Sequence, residues 1–310
     1  LFMIIYRGKS MNYKVDVIIP TYKRSDMLDK AIRSILDQTY KYVMVTVVDD
    51  NDPDTEWRKT TSQMMEKYSE DPRVQYICHE RNKNGSAARN TGFKHTNGEF
   101  VCFLDDDDYF LQDKIRKQVD YLVNDSTKDA SFCDCIKNGK TLTLPYKSDF
   151  SYDIFLSYPT PQTSGIMFRR KVIEELNGFD ESYYRHQDYE LLLRFYDRFS
   201  MGKVDEVLYV RERSEVDNKP NGMKLEKLKK KLFDDFKYKL DGLEQIEPGY
   251  RKKVMVYSSI DILKCYMKKK DIKNSLRILF IAMKNNTFLT VKVLMKSYRA
   301  HKIANRDYKV

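Results

Sequence analysis

Glycine is scarce in this chain, with 11 in 310 residues, and none falls in G-x-G-x-x-G or G-x-x-x-x-G-K-[ST] spacing. The backbone phosphate cradles of dinucleotide-binding and P-loop enzymes are therefore excluded, so a phosphate ligand needs another counter-charge. The five cysteines (Cys78, Cys102, Cys133, Cys135, Cys265) are odd in number and form no C-x-x-C pair. They support neither a disulfide framework nor a zinc knuckle, and a reducing, cytoplasmic setting fits them best. His79 and His95 have no ligand spacing. The longest uncharged apolar run of the C-terminal part, Ile278 to Met283, is far below the roughly 20 residues of a membrane-spanning helix, so no span is expected. Leu1 to Tyr6 is too short for a signal h-region, and residues 1–12 are set aside as an N-terminal extension.

What is present is ample for a packed interior, with 41% hydrophobic and 13% aromatic residues. The length suits one main domain with an appendage. The net charge of +10 is unevenly spread. Residues 221–310 hold 23 Lys and Arg against 9 Asp and Glu, whereas residues 1–220 hold 33 against 37. The basic charge belongs to the tail.

Val15 to Ile19 is a short β-branched run stopped by Pro20, and Leu28, Ala31, Ile32, Ile35 and Leu36 then recur at helical spacing behind Ser25 as N-cap. Val43 to Val48 repeats the pattern, ending at Asp49-Asp50 before a helical stretch through Trp57, Met64, Met65 and Tyr68. Val74 to Ile77 reads as a third strand, Ser86 to Lys94 as a helix, and Phe100 to Leu104 as a fourth strand that runs into Asp105, Asp106, Asp107 and Asp108. Such alternation predicts an α/β fold with a mostly parallel sheet flanked by helices. Ligands of open α/β sheets bind outside the carboxyl ends of the strands, where the polar loops Pro20 to Arg24, Asp49-Asp50 and Asp105 to Asp108 all lie. Beyond the breaker cluster Asn218-Lys219-Pro220-Asn221-Gly222 the pattern turns Lys-rich and helical, with a hairpin over 250–268 and 272–284 and a helix to about Ala300. The expected division is 13–215 and 216–310.

Carboxylates in an Asp105-x-Asp107 turn hold a hard divalent cation through oxygen, and such a cation bridges two phosphates. The plainer alternative is a solvated acidic turn. Four like charges at the end of an apolar strand favour the cation, because they repel one another without it. An EF-hand is disfavoured, since the glycine at its sixth loop position is missing.

Five segments in order resemble the inverting family 2 glycosyltransferases of GT-A fold: Val17-Ile18-Ile19-Pro20-Thr21-Tyr22-Lys23-Arg24, Val47-Val48-Asp49-Asp50-Asn51, Gly85-Ser86-Ala87-Ala88-Arg89-Asn90, Phe103-Leu104-Asp105-Asp106-Asp107-Asp108, and Gly178-Phe179-Asp180-Glu181 followed by Gln187-Asp188-Tyr189-Glu190-Leu191. The resemblance covers about residues 13–212. It implies a nucleotide-binding GT-A sheet, here with a C-terminal α-helical extension. It also implies a nucleotide-sugar donor, with UDP preferred, and Mn²⁺ or Mg²⁺ as cofactor. Pro20, Thr21, Tyr22, Arg24, Asp49 and Asp50 would then form the nucleoside side, with Asp50 accepting from a uracil imide. Arg89 would face the donor, Asp107 would be the principal metal ligand with Asp105 beside it, and Asp105 or Asp106 would lie near the ribose and donor sugar. Asp188 matches the general base, its alternative being a carboxylate that favours a helix N-terminus. The family usually has Glu before this Asp, and here it is Gln187. His186 reads as a surface residue more readily than as an acceptor contact, and Gly165 fits a close donor approach or a simple turn.

The Lys-rich helices beyond 220 suit an anionic lipid surface near a lipid-linked acceptor, with the protein peripheral on the inner face of the membrane. Equally they suit a solvated face over a subdomain packed on the catalytic domain or, in a homodimer, on a second subunit. A nucleic-acid partner is disfavoured by the acidic balance of residues 1–220. A nucleotidyltransferase lacks its Gly-rich signature near the first strand. A catalytically inactive binding relative is disfavoured by the retention of Asp107 and Asp188. The expected acceptor is a surface-polysaccharide or lipid-linked glycan.

Overall fold

A computed structural model describes residues 13–212 and 221–306, with side chains to Tyr298. The N-terminal extension and the breaker residues Asn218, Lys219 and Pro220 lie outside the described residues. Among the described residues, 13–148 and 161–212 form one compact unit, and 149–160 with 221–306 form another.

The first unit opens with β1 (Val15–Thr21), α1 (Ser25–Leu36), β2 (Val43–Asp49), α2 (Glu56–Met65), β3 (Val74–Cys78), α3 (Gly85–Lys94) and β4 (Phe100–Phe103). β1 pairs in parallel with both β2 and β4, and β2 with β3, so the carboxyl ends of all four strands open on one side. Val15, Val17, Ile18 and Ile19 are fully buried, as a strand covered on both faces requires. α1 buries Leu28, Ala31, Ile32 and Ile35 at the predicted spacing. It begins at Ser25 itself, with Arg24 in the N-cap position and no side-chain cap. The Ser25 hydroxyl instead donates to Thr60 at 3.3 Å.

β5 (Asp108–Phe110), α4 (Lys114–Asn124), β6 (Ala130–Lys137) and β7 (Lys140–Leu142) follow. After α5 (Ser151–Phe155), which belongs to the other unit, come β8 (Ile166–Arg169), α6 (Arg170–Glu175), α7 (Gln187–Phe195) and β9 (Met201–Arg211). The sheet runs β3-β2-β1-β4-β8-β6-β9-β5, with β7 on β6. From β4 onward it is mixed: β8 is antiparallel to β4 and β6, β9 is parallel to β6, and β5 is antiparallel to β9. The parallel pattern of the sequence thus describes the half built from β1 to β4. Its other half combines the longer strands β6 and β9 with the short β5, β7 and β8, and the sequence pattern did not resolve it.

The second unit is helical. α8 (Gly222–Asp235), α9 (Lys237–Ile246), α10 (Tyr250–Lys268) and α11 (Ile272–Arg306) pack around Leu225, Leu232, Tyr250, Val256 and Ile260. α5 joins them through Tyr152, whose ring stands 4.7 Å from that of Tyr250 and whose carbonyl accepts from the Tyr250 hydroxyl at 2.8 Å. Lys229 is buried because its ammonium reaches Asp261 at 2.9 Å and the Ser157 hydroxyl at 3.0 Å. The expected hairpin is present. Its second arm continues without a loop, across non-helical backbone at Asn286 (φ −166°, ψ 101°). Ile272–Tyr298 reaches a mean hydropathy of 1.3, enough with its length to pass as a span. Run length alone missed this, because single lysines interrupt the apolar residues.

Candidate active site

The acidic cluster sits at the open end of β4, and each of its carboxylates has a distinct environment. Asp106 is 3% exposed and accepts from the Thr21 hydroxyl (2.9 Å), the Tyr22 amide (3.3 Å) and Arg24 Nη1 (2.8 Å). Burial pushes its carboxyl up to about 6, against the pull of Arg24. The same guanidinium nitrogen reaches Asp107 Oδ2 at 2.9 Å. Burial and then Asp105 raise the Asp107 carboxyl above the ordinary range. Asp105 is the most open of the four and pairs with Arg89 Nη2 at 2.5 Å. Asp108 begins β5 opposite Arg211, and burial followed by Asp105 holds its proton far above the usual carboxylate range. Ser164, which the sequence did not single out, accepts from the Asp105 amide at 3.2 Å and bonds the Asp108 side chain.

Arg89 links this cluster to the start of α7. Its Nη1 donates to Gln187 Oε1 at 2.6 Å, and its guanidinium lies 5.4 Å from the Phe179 ring centre. Asp188 follows in the first turn of α7. Burial raises its carboxyl, Asp105 raises it further, and Arg89 opposes. The segment that delivers Asp188 is tied to α3: the Asn90 amide donates to the Phe179 carbonyl (2.8 Å) and accepts from the Phe179 amide (2.8 Å). Ser86 donates to the Tyr183 carbonyl (3.1 Å), and Asn84 to that of Glu181 (2.9 Å). Gly178 has φ +71°, and a Cβ there would stand 2.4 Å from Asn90 Oδ1. This explains why Ala88-Arg89-Asn90 and Gly178-Phe179 occur together: the second loop folds over the amide of the first.

The aspartate pair at the end of β2 is built differently. Asp49 is fully buried and accepts from Tyr76 (2.6 Å) and the Asn51 amide (2.9 Å), with Arg58 Nε at 3.0 Å. Asp50 accepts His79 Nδ1 (2.7 Å) and the Lys83 amide (2.8 Å) on one oxygen, and Asn82 Nδ2 (2.8 Å) and the Asn84 amide (2.9 Å) on the other. A carboxylate has about four acceptor sites. In this structure the Asp50 side chain spends these acceptor sites on His79 and on the 82–84 loop that it folds. His79, passed over for lack of ligand spacing, is the partner that buries with it. Its other nitrogen stands 2.9 Å from the Thr91 hydroxyl.

Pro20 and Tyr22 are partly buried at the end of β1, with Lys23 Nζ 4.8 Å above the Tyr22 ring. Thr21 is buried and belongs to Asp106. Gly165 packs against Tyr209, whose ring a Cβ there would meet at 2.7 Å. His186 caps α7 in left-handed conformation (φ 58°), its ring 5.0 Å from that of Tyr189.

Among the described residues no three His, Cys, Asp or Glu side chains converge as a metal cage. Asp105 and Asp107 nonetheless fit a hard cation of the Mg²⁺ type, which binds through one or two carboxylates and completes its shell with water and substrate phosphate. Burial and then the charge of Asp105 raise the Asp107 carboxyl, and a cation between the two would favour both charged forms.

Comparison with known proteins agrees with this arrangement. Residues 16–177 match the family described as "Glycosyl transferase family 2". The amylovoran biosynthesis glycosyltransferase AmsB of Erwinia amylovora is 31% identical over 190 residues, covering 57% of this chain and 62% of AmsB. The GalNAc(5)-diNAcBac-PP-undecaprenol beta-1,3-glucosyltransferase of Campylobacter jejuni is 40% identical over 99 residues, 32% of this chain and 31% of that protein. The chain thus spans less than two thirds of the length of these relatives. The crystal structure of S. aureus TarS 1–349 in complex with UDP-GlcNAc superposes with a TM-score of 0.58 at 18% identity, covering 93% of this chain and 92% of that one. An acidic cluster at the carboxyl ends of a parallel half-sheet, a family match across more than half the chain and a GT-A fold shared with TarS make one conclusion: this chain belongs to glycosyl transferase family 2.

Proposed function

We propose that the chain is an inverting transferase that moves a sugar from a nucleoside diphosphate donor, a UDP-sugar by preference, to a hydroxyl of a glycan or lipid-linked acceptor. The observation that supports this reading is the Arg89 bridge, which holds Asp105 of the acidic cluster with one nitrogen and Gln187, the residue before Asp188, with the other. Inverting displacement needs one base and one stabilised leaving group on opposite faces of the anomeric carbon. Asp188 accepts the acceptor's proton as the new C–O bond forms, and the electron pair of the breaking bond leaves with the nucleoside diphosphate. A raised carboxyl is a better base near neutral pH than an ordinary aspartate. Asp107 and Asp105 would hold Mn²⁺ or Mg²⁺, and the cation supplies charge neutralisation to the departing diphosphate.

Pro20 and Tyr22 stand on the nucleoside side with the 82–84 loop, and Arg24 and Arg89 on the phosphate side. The UDP preference is supported by the TarS likeness, since that protein is seen with UDP-GlcNAc. A lipid-linked acceptor is supported by the Campylobacter relative, which acts on a PP-undecaprenol glycan, and a polysaccharide role by AmsB. The basic helices would then keep the protein peripheral on a cytoplasmic membrane face. Screening nucleotide sugars for slow hydrolysis with and without Mn²⁺ tests the reading: metal-dependent release of nucleoside diphosphate is expected. Asp188→Asn should lower transfer by about 10²–10⁴-fold while donor binding persists. Metal-independent turnover unaffected by Asp188→Asn would refute it.

A further inference from the structure

α11 is unusual in exposing large apolar side chains along its length. Before Asn286 these are Ile272, Leu276, Phe280 and Met283, and after it Phe288, Val291, Met295 and Tyr298. At 100° per residue each set falls within a stripe of about 80°, so both halves of the kinked helix present a continuous apolar edge. Phe280 is 69% and Phe288 80% exposed. Soluble surfaces scatter such residues singly, whereas an aligned series marks a binding face.

The charge around the stripes is of one sign. From Ile272 to Arg306 there is no Asp or Glu. Lys273 and Lys284 stand at the edge of the first stripe, and Lys292 and Lys296 at the corresponding edge of the second, all four exposed. None of these four forms an ion pair among the described residues. Apolar side chains in a line, bordered by unpaired ammonium groups, match a headgroup layer whose phosphates lie level with the lysines while the acyl region receives the phenylalanines.

We propose that the outer face of α11 docks on an anionic lipid surface, with the helix lying in the plane of the interface. This rests on the membrane reading of the helical unit and names the face that carries it. Length and hydropathy would equally allow Ile272–Tyr298 to cross a bilayer, but its opposite face is already used. Ile278, Ala282 and Thr290 are buried within the unit, and Arg277 is bound to Glu226 of α8 at 2.6 Å. The non-helical backbone at Asn286 also interrupts the helical hydrogen bonding that a lipid-exposed span must keep intact.

The test is flotation of the full chain with vesicles of phosphatidylcholine, alone or with about one third phosphatidylglycerol. The chain should float with the anionic vesicles and much less with the neutral ones. Phe280→Asp with Phe288→Asp should cut binding at least about tenfold. Lys284→Ala, Lys292→Ala and Lys296→Ala together should cut it most at low salt, which holds the test open if the aspartate variant misfolds. Circular dichroism and metal-dependent donor hydrolysis should be unchanged in both. Wild-type flotation retained by both variants overturns the assignment of the face and leaves the membrane reading standing; no flotation of the wild type overturns both. Wild-type protein that resists extraction at high pH and high salt overturns the in-plane placement in favour of a span. A wild-type dimer turned monomeric by the phenylalanine changes, seen by light scattering, shows that a second copy covers the stripe and also overturns the proposal.

Discussion

β2 and β4 lie on either side of β1, and both end in adjacent aspartates, yet the two ends have opposite characters. Asp49 and Asp50 are enclosed by donors, from Arg58 and Tyr76 to His79, the Asn82 side chain and the Lys83 and Asn84 amides, so the fold itself surrounds them with partners. Asp105 to Asp108 crowd one another, and Arg24 and Arg89 offset only part of their charge, so burial and repulsion keep Asp106, Asp107 and Asp108 inclined to hold protons. A matched carboxylate builds a wall, and an unmatched one is available for ligand chemistry. The same two letters in a sequence therefore describe a carboxylate pair enclosed by donors in one place and a crowded one in the other.

The largest effect should come from the matched pair. Asp49→Ala takes the carboxylate partner from the partly buried Arg58 guanidinium, which keeps the Asn51 and His79 carbonyls, and should destabilise by about 3–5 kcal/mol, measured by urea unfolding. A variant of near wild-type stability would break the contrast. Asp107→Ala should do the reverse, lowering metal-dependent transfer at least about a hundredfold while the melting temperature stays within a few degrees. Gly178→Ala sharpens the link between α3 and the base: a strained left-handed alanine against Asn90 should cost about 1–3 kcal/mol and lower kcat more than it alters donor affinity.

The smallest effects are in pH. Asp188 is raised, so kcat/KM should fall on the acid side at a pH above the ordinary aspartate value of about 3.9, as the base takes up its proton. For stability the sign follows from Asp106. Folded, it keeps its proton to about pH 6, whereas unfolded it releases it near pH 3.9, so its contribution declines as pH rises through that window. Mn²⁺ should accordingly raise the melting temperature more at pH 7.5 than at pH 5, where protons compete for the cluster. An equal rise at both would show that the cation binds elsewhere.

Much of the first half-sheet was legible because its strands are buried on both faces and carry uninterrupted β-branched runs, from Val15–Ile19 to Phe100–Phe103. The carboxyl-end loops followed from strand direction alone. β5, β7 and β8 were not legible: each is three or four residues long, below the length at which alternation is distinguishable from chance. The helical unit showed its Lys-rich periodicity but not its membership. Ser151–Phe155 lies far from α8–α11 in sequence and joins them through tyrosine packing, a contact that leaves no spacing signal.

The sequence by itself determined the order of strand, loop and helix, the family, and the positions of the acidic groups, because these depend on local pattern and on residues adjacent in the chain. Tertiary structure alone decided which partners each acidic group meets. Asp50 is filled by partners about thirty residues away, Arg24 stands between two aspartates more than eighty residues on, and Arg89 joins Asp105 to Gln187 across two loops. It also decided which face of α11 is covered, since periodicity shows that a helix has an apolar side but not whether protein lies against it. Burial and charge pairing are properties of neighbours in space, and the chain order does not contain them.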